Sequence, residues 1–169
     1  MLKYILLTIV IFLSCERNLS AQVTSSASAS ANIVMPIQIN KTYDLDFGNF
    51  STNGTSGTLV LVPGSHAKRL PSSSITVSDI AFANARAATF TIARQDNFEY
   101  NLVLPTKNHL IYNGESTMLV NGFICSDPKL TSDGTETIFL GATLNVSAEQ
   151  TSGSYASAGS TIEIIVNYN

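Results

Sequence analysis

The chain has 169 residues, of which only 12% are charged, and its formal net charge is −3. This slight acidity excludes the basic surface that nucleic-acid binding requires. Low charge combined with many hydroxyl and β-branched residues is typical of extracellular β-structure. Beyond the first residues, no stretch is long and apolar enough to predict a transmembrane helix.

The start of the chain predicts a cleaved export signal at 1–21. Lys3 supplies a positive charge, and a nearly unbroken apolar run follows at 4–13. A run of this length fits the apolar region of a signal peptide and is too short for a bilayer span. Cleavage is predicted after Ala21, which leaves residues 22–169 as a single domain.

The two cysteines leave alternatives open. Cys15 follows the apolar run directly, so its lipidation is the alternative to cleavage after Ala21 and would anchor the protein to a membrane. Cys125 would be the single cysteine of the mature chain and could form no internal disulfide. It lies in an apolar run, which predicts a buried structural thiol; pairing between chains or a reactive thiol is the alternative.

Residues 22–35 predict a donor or edge strand at the start of the mature chain. Small or apolar side chains share one face of this strand: Ala27, Ala29, Ala31, Ile33 and Met35. The alternation fixes the register, because a slip by one residue would turn the apolar row towards water. Such a strand can fill a groove of its own domain, or one of a neighbour by strand addition.

The rest of the chain predicts further strands separated by turns, with no convincing helix. Alternating or β-rich runs lie at 37–48, 57–63, 73–82, 88–94, 98–105, 116–126, 136–148 and 160–169. Turn residues separate them, and the alanine-rich stretch 79–90 predicts a loop or a short strand. Together with the N-terminal segment, these runs favour an antiparallel β-sandwich of about eight to nine strands.

The last run alternates clearly. Ile162, Ile164, Val166 and Tyr168 fall on one face, and Ile165 is the apolar exception on the other. This pattern predicts a half-buried strand that ties down the end of the chain.

Both ends of the mature chain resemble an uncharacterised family of exported bacterial proteins, the domain of unknown function 4402. The opening resemblance covers 31–50, with a Pro-Ile pair at 36–37 and the pattern Asp-Leu-x-Phe-Gly at 44–48. The closing resemblance covers 140–169, with a Gly-x-Tyr turn and a terminal Val-Asn-Tyr-Asn. The resemblance implies an exported immunoglobulin-like β-sandwich, and it carries no assigned activity.

The chain is also similar in style to spore-coat-U-like proteins and to chaperone–usher pilins. Pilins carry an alternating N-terminal donor strand and a penultimate tyrosine, which correspond here to 23–35 and Tyr168. Many pilins have a cysteine pair, which this chain lacks. The similarity implies interaction residues at both ends of the chain: Ala27, Ala29, Ala31, Ile33, Met35 and Tyr168.

No pattern in the sequence predicts a catalytic, cofactor-binding or metal-binding residue. His66 and His109 stand in polar, turn-like contexts and are predicted to be solvated. Asp44 and Asp46 share a strand face, where calcium binding is the alternative to a carboxylate bonded to loop amides near Gly48. Paired carboxylates and the Gly-x-Ser-x-Gly motif are not recognisable. We therefore expect a protein that is not an enzyme and needs no cofactor.

The expected function is structural or adhesive. The chain would lie in the periplasm or on the outer-membrane exterior of a Gram-negative-type bacterium, and its partners would be further copies of itself or other cell-surface proteins. The alternative is a secreted carbohydrate- or ligand-binding module, in which polar loops at 52–57 and 150–159 would bind glycans.

Overall fold

The structure is a computed structural model that describes residues 22–66, 68–77, 85–159 and 161–169. The predicted export signal, Cys15 and part of the alanine-rich stretch lie outside these ranges. The chain divides into two compact units, Met1–Ile33 and Val34–Asn169. Within the described ranges, no helix is long and apolar enough to cross a membrane.

The described residues are all-β and antiparallel. Their thirteen strands are β1 (Gln38–Tyr43), β2 (Phe50–Thr52), β3 (Gly57–Val62), β4 (Lys68–Pro71), β5 (Ile75–Val77), β6 (Ala88–Ala93), β7 (Tyr100–Val103), β8 (His109–Asn113), β9 (Ser116–Cys125), β10 (Lys129–Leu130), β11 (Glu136–Val146), β12 (Ala156–Ser157) and β13 (Ile165–Tyr168). Each run predicted from residue 37 onward contains one of them. The expected number of strands was too low, because β2, β4, β8, β10 and β12 are too short to show a clear alternation.

The first unit bears on the prediction of a donor or edge strand at 22–35. Residues 22–33 form no strand, although their alternation predicted one. All of them are exposed, with Val23 91% and Ile33 94% accessible. A single strand has no stability of its own in water, because its backbone groups need a partner edge. The single chain therefore forms no edge strand here, and a donor strand added to a partner chain stays a prediction.

Nine strands form one curled sheet that resembles half a barrel. Six of them follow the order β1-β6-β11-β9-β8-β12, while β3 pairs with β11 and β4, and β10 pairs with β11. The central strand β11 changes partner along one edge: residues 136–140 pair with β6, and 142–146 pair with β3. Gly141 lies at the change, where an added Cβ would come within 2.1 Å of the Leu61 carbonyl oxygen.

A β-bulge in β9 adds to the curl. Ile124 pairs with Gly141 and Asn121 pairs with Thr143, so two residues of β9 oppose one of β11. Gly122 occupies the bulge at φ 59°, a conformation that glycine adopts without steric cost. The extra residue shifts the alternation of β9 by one, which leaves Ile124 exposed.

Two apolar cores lie against the curled sheet. The first is built mainly from β3, β9 and the second half of β11, and the small sheet β2–β5 contributes to it. The second is built from β6 and the first half of β11, and residues of the small sheet β7–β13 pack against it. The small sheets thus supply apolar side chains that cover the inner face of the large one.

The terminal strand confirms its predicted alternation. Ile162, Ile164, Val166 and Tyr168 are half-buried, and the residues between them are exposed. Ile165 is 52% accessible, as its position on the outer face predicts. The strand pairs antiparallel with β7, which ties the end of the chain into a sheet.

Candidate assembly site at the chain termini

The tyrosine near the C-terminus holds the segment that leads into β1. The Tyr168 hydroxyl donates a hydrogen bond to the carbonyl oxygen of Met35 at 3.0 Å and accepts one from the amide of Gln95 at 2.9 Å. The Met35 amide donates to Oε1 of Gln95 at 2.8 Å. The Phe98 ring lies against the Tyr168 ring, with centroids 5.6 Å apart. We call these four residues the terminal junction.

The turn between β6 and β7 brings Gln95 and Phe98 to the terminal junction. The Phe98 amide donates to the Gln95 carbonyl oxygen, and Asn97 between them adopts φ 66°. Asparagine is one of the few residues that tolerate this left-handed conformation. No motif in the sequence marked Gln95 or Phe98, because their role depends on a turn that meets the distant end of the chain.

The structure divides the six predicted interaction residues. Met35 and Tyr168 are joined directly in the second unit, and Met35 is 51% accessible. The remaining four lie in the first unit, where they are exposed and form no strand: Ala27, Ala29, Ala31 and Ile33. Their interaction with a partner stays a prediction.

A charged cluster near the terminal junction links three strands. Arg94, which follows β6, donates to Oε1 of Glu136 in β11 from Nη2 at 2.7 Å and from Nε at 3.0 Å. The Tyr100 hydroxyl of β7 donates to Oε2 of the same carboxylate at 2.6 Å. Arg94 also donates to the Phe98 carbonyl oxygen at 3.2 Å. The cluster therefore fastens the sheet β7–β13 to the curled sheet.

The protonation states of this cluster follow from its contacts. Burial raises the pKa of Tyr100, and its hydrogen bond to Glu136 raises it further, so the phenol stays protonated. Burial alone would raise the pKa of Glu136, but the hydrogen bonds from Tyr100 and Arg94 outweigh it and lower the pKa. The cluster is a charged pair with a neutral phenol, and each carboxylate oxygen accepts a hydrogen bond.

The polar loop at 52–57 is bonded to Glu149, the residue that precedes the loop at 150–159. The Glu149 amide donates to the Gly54 carbonyl oxygen at 3.0 Å, which joins the loop at 52–57 to the region before 150–159. Glu149 adopts φ 54°, an uncommon conformation for a residue with a Cβ. Nearby, Gln150 donates to the Tyr155 hydroxyl at 2.8 Å. We call this surface the loop end.

The two histidines differ from each other. His66 is exposed, as predicted. The prediction for His109 was wrong: it is 6% accessible, lies in β8, and its Nε2 is 2.7 Å from the Ser157 hydroxyl oxygen. His109 shares the inner face of its short strand with Ile111. The polar residues near it in sequence therefore gave no indication that it would be buried.

The two aspartates near Gly48 serve the local structure. Asp46 Oδ1 accepts a hydrogen bond from the Gly48 amide at 2.8 Å, which is the loop-amide arrangement predicted as one alternative. Its backbone forms an isolated bridge with Arg86, while Asp44 pairs with Lys41. The described part of the chain contains no group of three or more residues suited to hold a metal ion.

Cys125 is half-buried rather than fully buried. Burial raises the pKa of its thiol, which disfavours the reactive thiolate. The bulge at Gly122 turns Cys125 towards the second core, against which it packs. These features support the structural interpretation over the reactive one.

Comparison with known proteins places the chain in a family. The model of the family described as Domain of unknown function (DUF4402) matches residues 37–168, and the chain belongs to this family. This confirms the resemblance seen at both ends of the sequence. Searches of curated proteins and of solved structures found no match.

Proposed function

We propose that the chain is an exported structural or adhesion-type protein of the bacterial cell surface that assembles with other copies of itself through its terminal strands. It is not an enzyme and uses no cofactor. Its fold is an immunoglobulin-like β-sandwich, in which the curled sheet and the small sheets form the two layers. It resides in the periplasm or on the outer-membrane exterior of a Gram-negative-type bacterium, and lipidation of Cys15 is the alternative to a freely soluble form.

The observation that carries this proposal is an exposed, uncharged and alternating segment. Residues 22–33 contain no charged side chain and are accessible throughout. Ile33, at 94% accessibility, would gain from burial. Addition to the edge of a partner's sheet would bury the apolar row and satisfy the backbone at the same time.

The terminal junction supports the proposal by fixing the residue from which this segment departs. Both backbone polar groups of Met35 are engaged, the amide by Gln95 and the carbonyl oxygen by Tyr168. A segment whose base is held in this way loses less conformational freedom when it binds. The junction thus prepares the segment for association.

The proposal is tested with a pair of charge variants in the same segment. Ala29→Asp combined with Ala31→Asp places two charges on the apolar row. Ser28→Asp combined with Ser30→Asp places the same charges on the opposite face and is the matched control. We expect the alanine variant to lose assembly in light scattering, while the serine variant keeps it.

Equal behaviour of the two variants would contradict a strand with one buried face. The proposal would also fail if neither the parent chain nor the control assembled at any concentration. These substitutions lie in an exposed segment, so we expect the second unit to remain folded in both variants. Circular dichroism of each variant checks this.

A second candidate function is the binding of glycans at the loop end. The observation that favours it is the hydrogen bond from Glu149, which precedes the loop at 150–159, to Gly54 in the other polar loop, with Glu149 held in an uncommon backbone conformation. Such outliers accumulate at functional sites. A glycan array probed with the mature protein tests this candidate: binding that Glu149→Gly weakens would support it, and an array without binding would remove it.

A further inference from the structure

The stretch before β13 has a half-buried apolar row but no hydrogen-bonded partner strand. Ile162 and Ile164 pack against the second core, in line with Val166 of β13. Residues 161–164 are nevertheless assigned to no strand. An alternating half-buried stretch of this kind has backbone groups that a neighbouring strand would satisfy.

The sequence of the strand opposite explains where the ladder stops. The pairing of β7 with β13 ends at Val103 and Ile165. Continuing it would bring Pro105 opposite residue 163, and proline has no amide hydrogen to donate. The stretch 161–164 therefore cannot complete its ladder along β7.

The other edge of β13 also has no partner, since β7 is its only strand partner among the described residues. Three other edge strands carry lysines that discourage pairing with foreign strands: Lys41 in β1, Lys68 in β4 and Lys129 in β10. Strand β13 reads Ile-Val-Asn-Tyr and contains neither a charge nor a proline. Strand β13 itself thus carries no protecting charge, a feature that it shares with the edge strands β2, β5, β7 and β12.

We infer that the edge formed by β13 and the preceding residues 161–164 receives the N-terminal segment of a second copy of the chain as an added strand. This inference rests on the proposed function and names the acceptor surface for it. The acceptor edge, 161–168, spans roughly 26 Å when extended. Residues 26–33 of the incoming copy match this length.

The two surfaces are compatible in charge and in pattern. The incoming residues carry no charge, and Glu163 is the one charged residue of the acceptor edge, on its exposed face. In the added strand, Ala27, Ala29 and Ala31 would continue the row of Ile162, Ile164 and Val166 over the second core. Their small side chains demand little space beside these larger ones.

The direction of the chain favours a second copy over self-closure. The chain's own segment runs towards Met35, which is bonded to Tyr168 at the end of β13. It would therefore have to lie parallel to β13, and parallel pairing is slightly less stable per residue. The segment of a second copy can add in the antiparallel direction.

Hydrogen exchange of the mature full-length chain at low and high concentration tests this inference. On assembly we expect the exchange rates of alternate amides in residues 161–168 to fall to about one tenth or less. Only every second amide is affected, because only every second amide faces the added strand. The Ala29→Asp and Ala31→Asp double variant should lose this protection, and the Ser28→Asp and Ser30→Asp control should keep it. Amides of β1 should not change.

Each other outcome overturns a distinct claim. Assembly with new protection at another edge, and none at 161–168, would overturn the acceptor edge while leaving the proposed function intact. Protection of 161–168 in a monomer at every concentration would mean that the chain closes its own edge, which overturns the inference. Absence of both assembly and protection would overturn the proposed function itself.

Discussion

The hydroxyl of Tyr168 lies 3.0 Å from the carbonyl oxygen of Met35, to which it donates a hydrogen bond across 133 positions of sequence. Through this contact the last strand holds the residue that precedes β1. The same hydroxyl accepts a hydrogen bond from the Gln95 amide. One side chain therefore links β13 to the segment before β1 and to the turn after β6.

Removal of this hydroxyl tests the terminal junction. In Tyr168→Phe the ring can still pack on Phe98, but the Gln95 amide and the Met35 carbonyl oxygen lose their partner. Because the site is partly open to water, we expect a loss of about 1 kcal/mol in the free energy of unfolding. Chemical denaturation measures it.

Tyr43→Phe is the matched control for this substitution, since Tyr43 is 47% accessible. Its stability should change by less than about 0.5 kcal/mol. Equal effects in the two variants would contradict a structural role for the Tyr168 hydroxyl.

Gly141 should tolerate no side chain. In Gly141→Ala the new Cβ would stand 2.1 Å from the Leu61 carbonyl oxygen and 2.8 Å from the Pro63 nitrogen, both backbone atoms. The strands β11 and β3 would have to separate, so we expect a loss of about 3 kcal/mol or more. Thermal unfolding followed by circular dichroism measures the change.

The matched control is Gly64→Ala, where the nearest atom to the added Cβ is 3.8 Å away. A mild effect is expected there. If Gly141→Ala lowered the stability no more than the control, this would contradict the close approach of β11 and β3.

Glu136 should make the stability depend on pH. Its pKa in the folded protein is below the ordinary value of 4.5, so its stabilising contribution is full above that value and is lost as the pH falls through the lower, folded value. Glu136→Gln should cost about 1 to 3 kcal/mol at neutral pH, because Arg94 and Tyr100 lose a charged partner. It should also flatten the pH dependence below 4.5.

Asp133 contributes to the same acid range through a separate set of contacts. Hydrogen bonds from Thr131 and Thr135 lower the pKa of Asp133 to about 2, so its effect has the same sign as that of Glu136. Denaturation curves at several pH values for Glu136→Gln and Asp133→Asn separate the two. An unchanged pH profile in the Glu136 variant would contradict the role of the cluster.

Cys125 should react slowly in the folded protein. Burial raises the pKa of the thiol, and we expect alkylation at least about tenfold slower than in denaturant. The control moves the thiol by one residue, in Cys125→Ser combined with Ile124→Cys, because Ile124 is 44% accessible. Fast reaction of native Cys125, or slow reaction of the control, would contradict the shift in alternation caused by the bulge.

Local patterns in the sequence predicted the features that depend on local spacing. The alternation at 162–168 predicted which side chains of the last strand would be buried, because the side-chain period of a strand is two. The hydrogen bond of Asp46 to the loop at Gly48 was also one of the predicted alternatives. The first prediction needs only the period of the strand itself, and in the second the bonded residues are two positions apart.

Features that depend on distant contacts escaped prediction. His109 is buried because β8 is paired with β9, which its polar neighbours in sequence did not indicate. Gln95 joins the terminal junction only because the turn after β6 meets the end of the chain. Residues 22–33 form no strand in the single chain despite their strong alternation, because a strand needs a partner edge.

Assembly of the chain with itself is the central claim, and light scattering on the mature protein beginning at Gln22 tests it most directly. We expect a mass that increases with concentration, and a ladder on a denaturing gel that disappears when the sample is boiled. A single monomeric mass at every concentration, without a ladder, would contradict the claim.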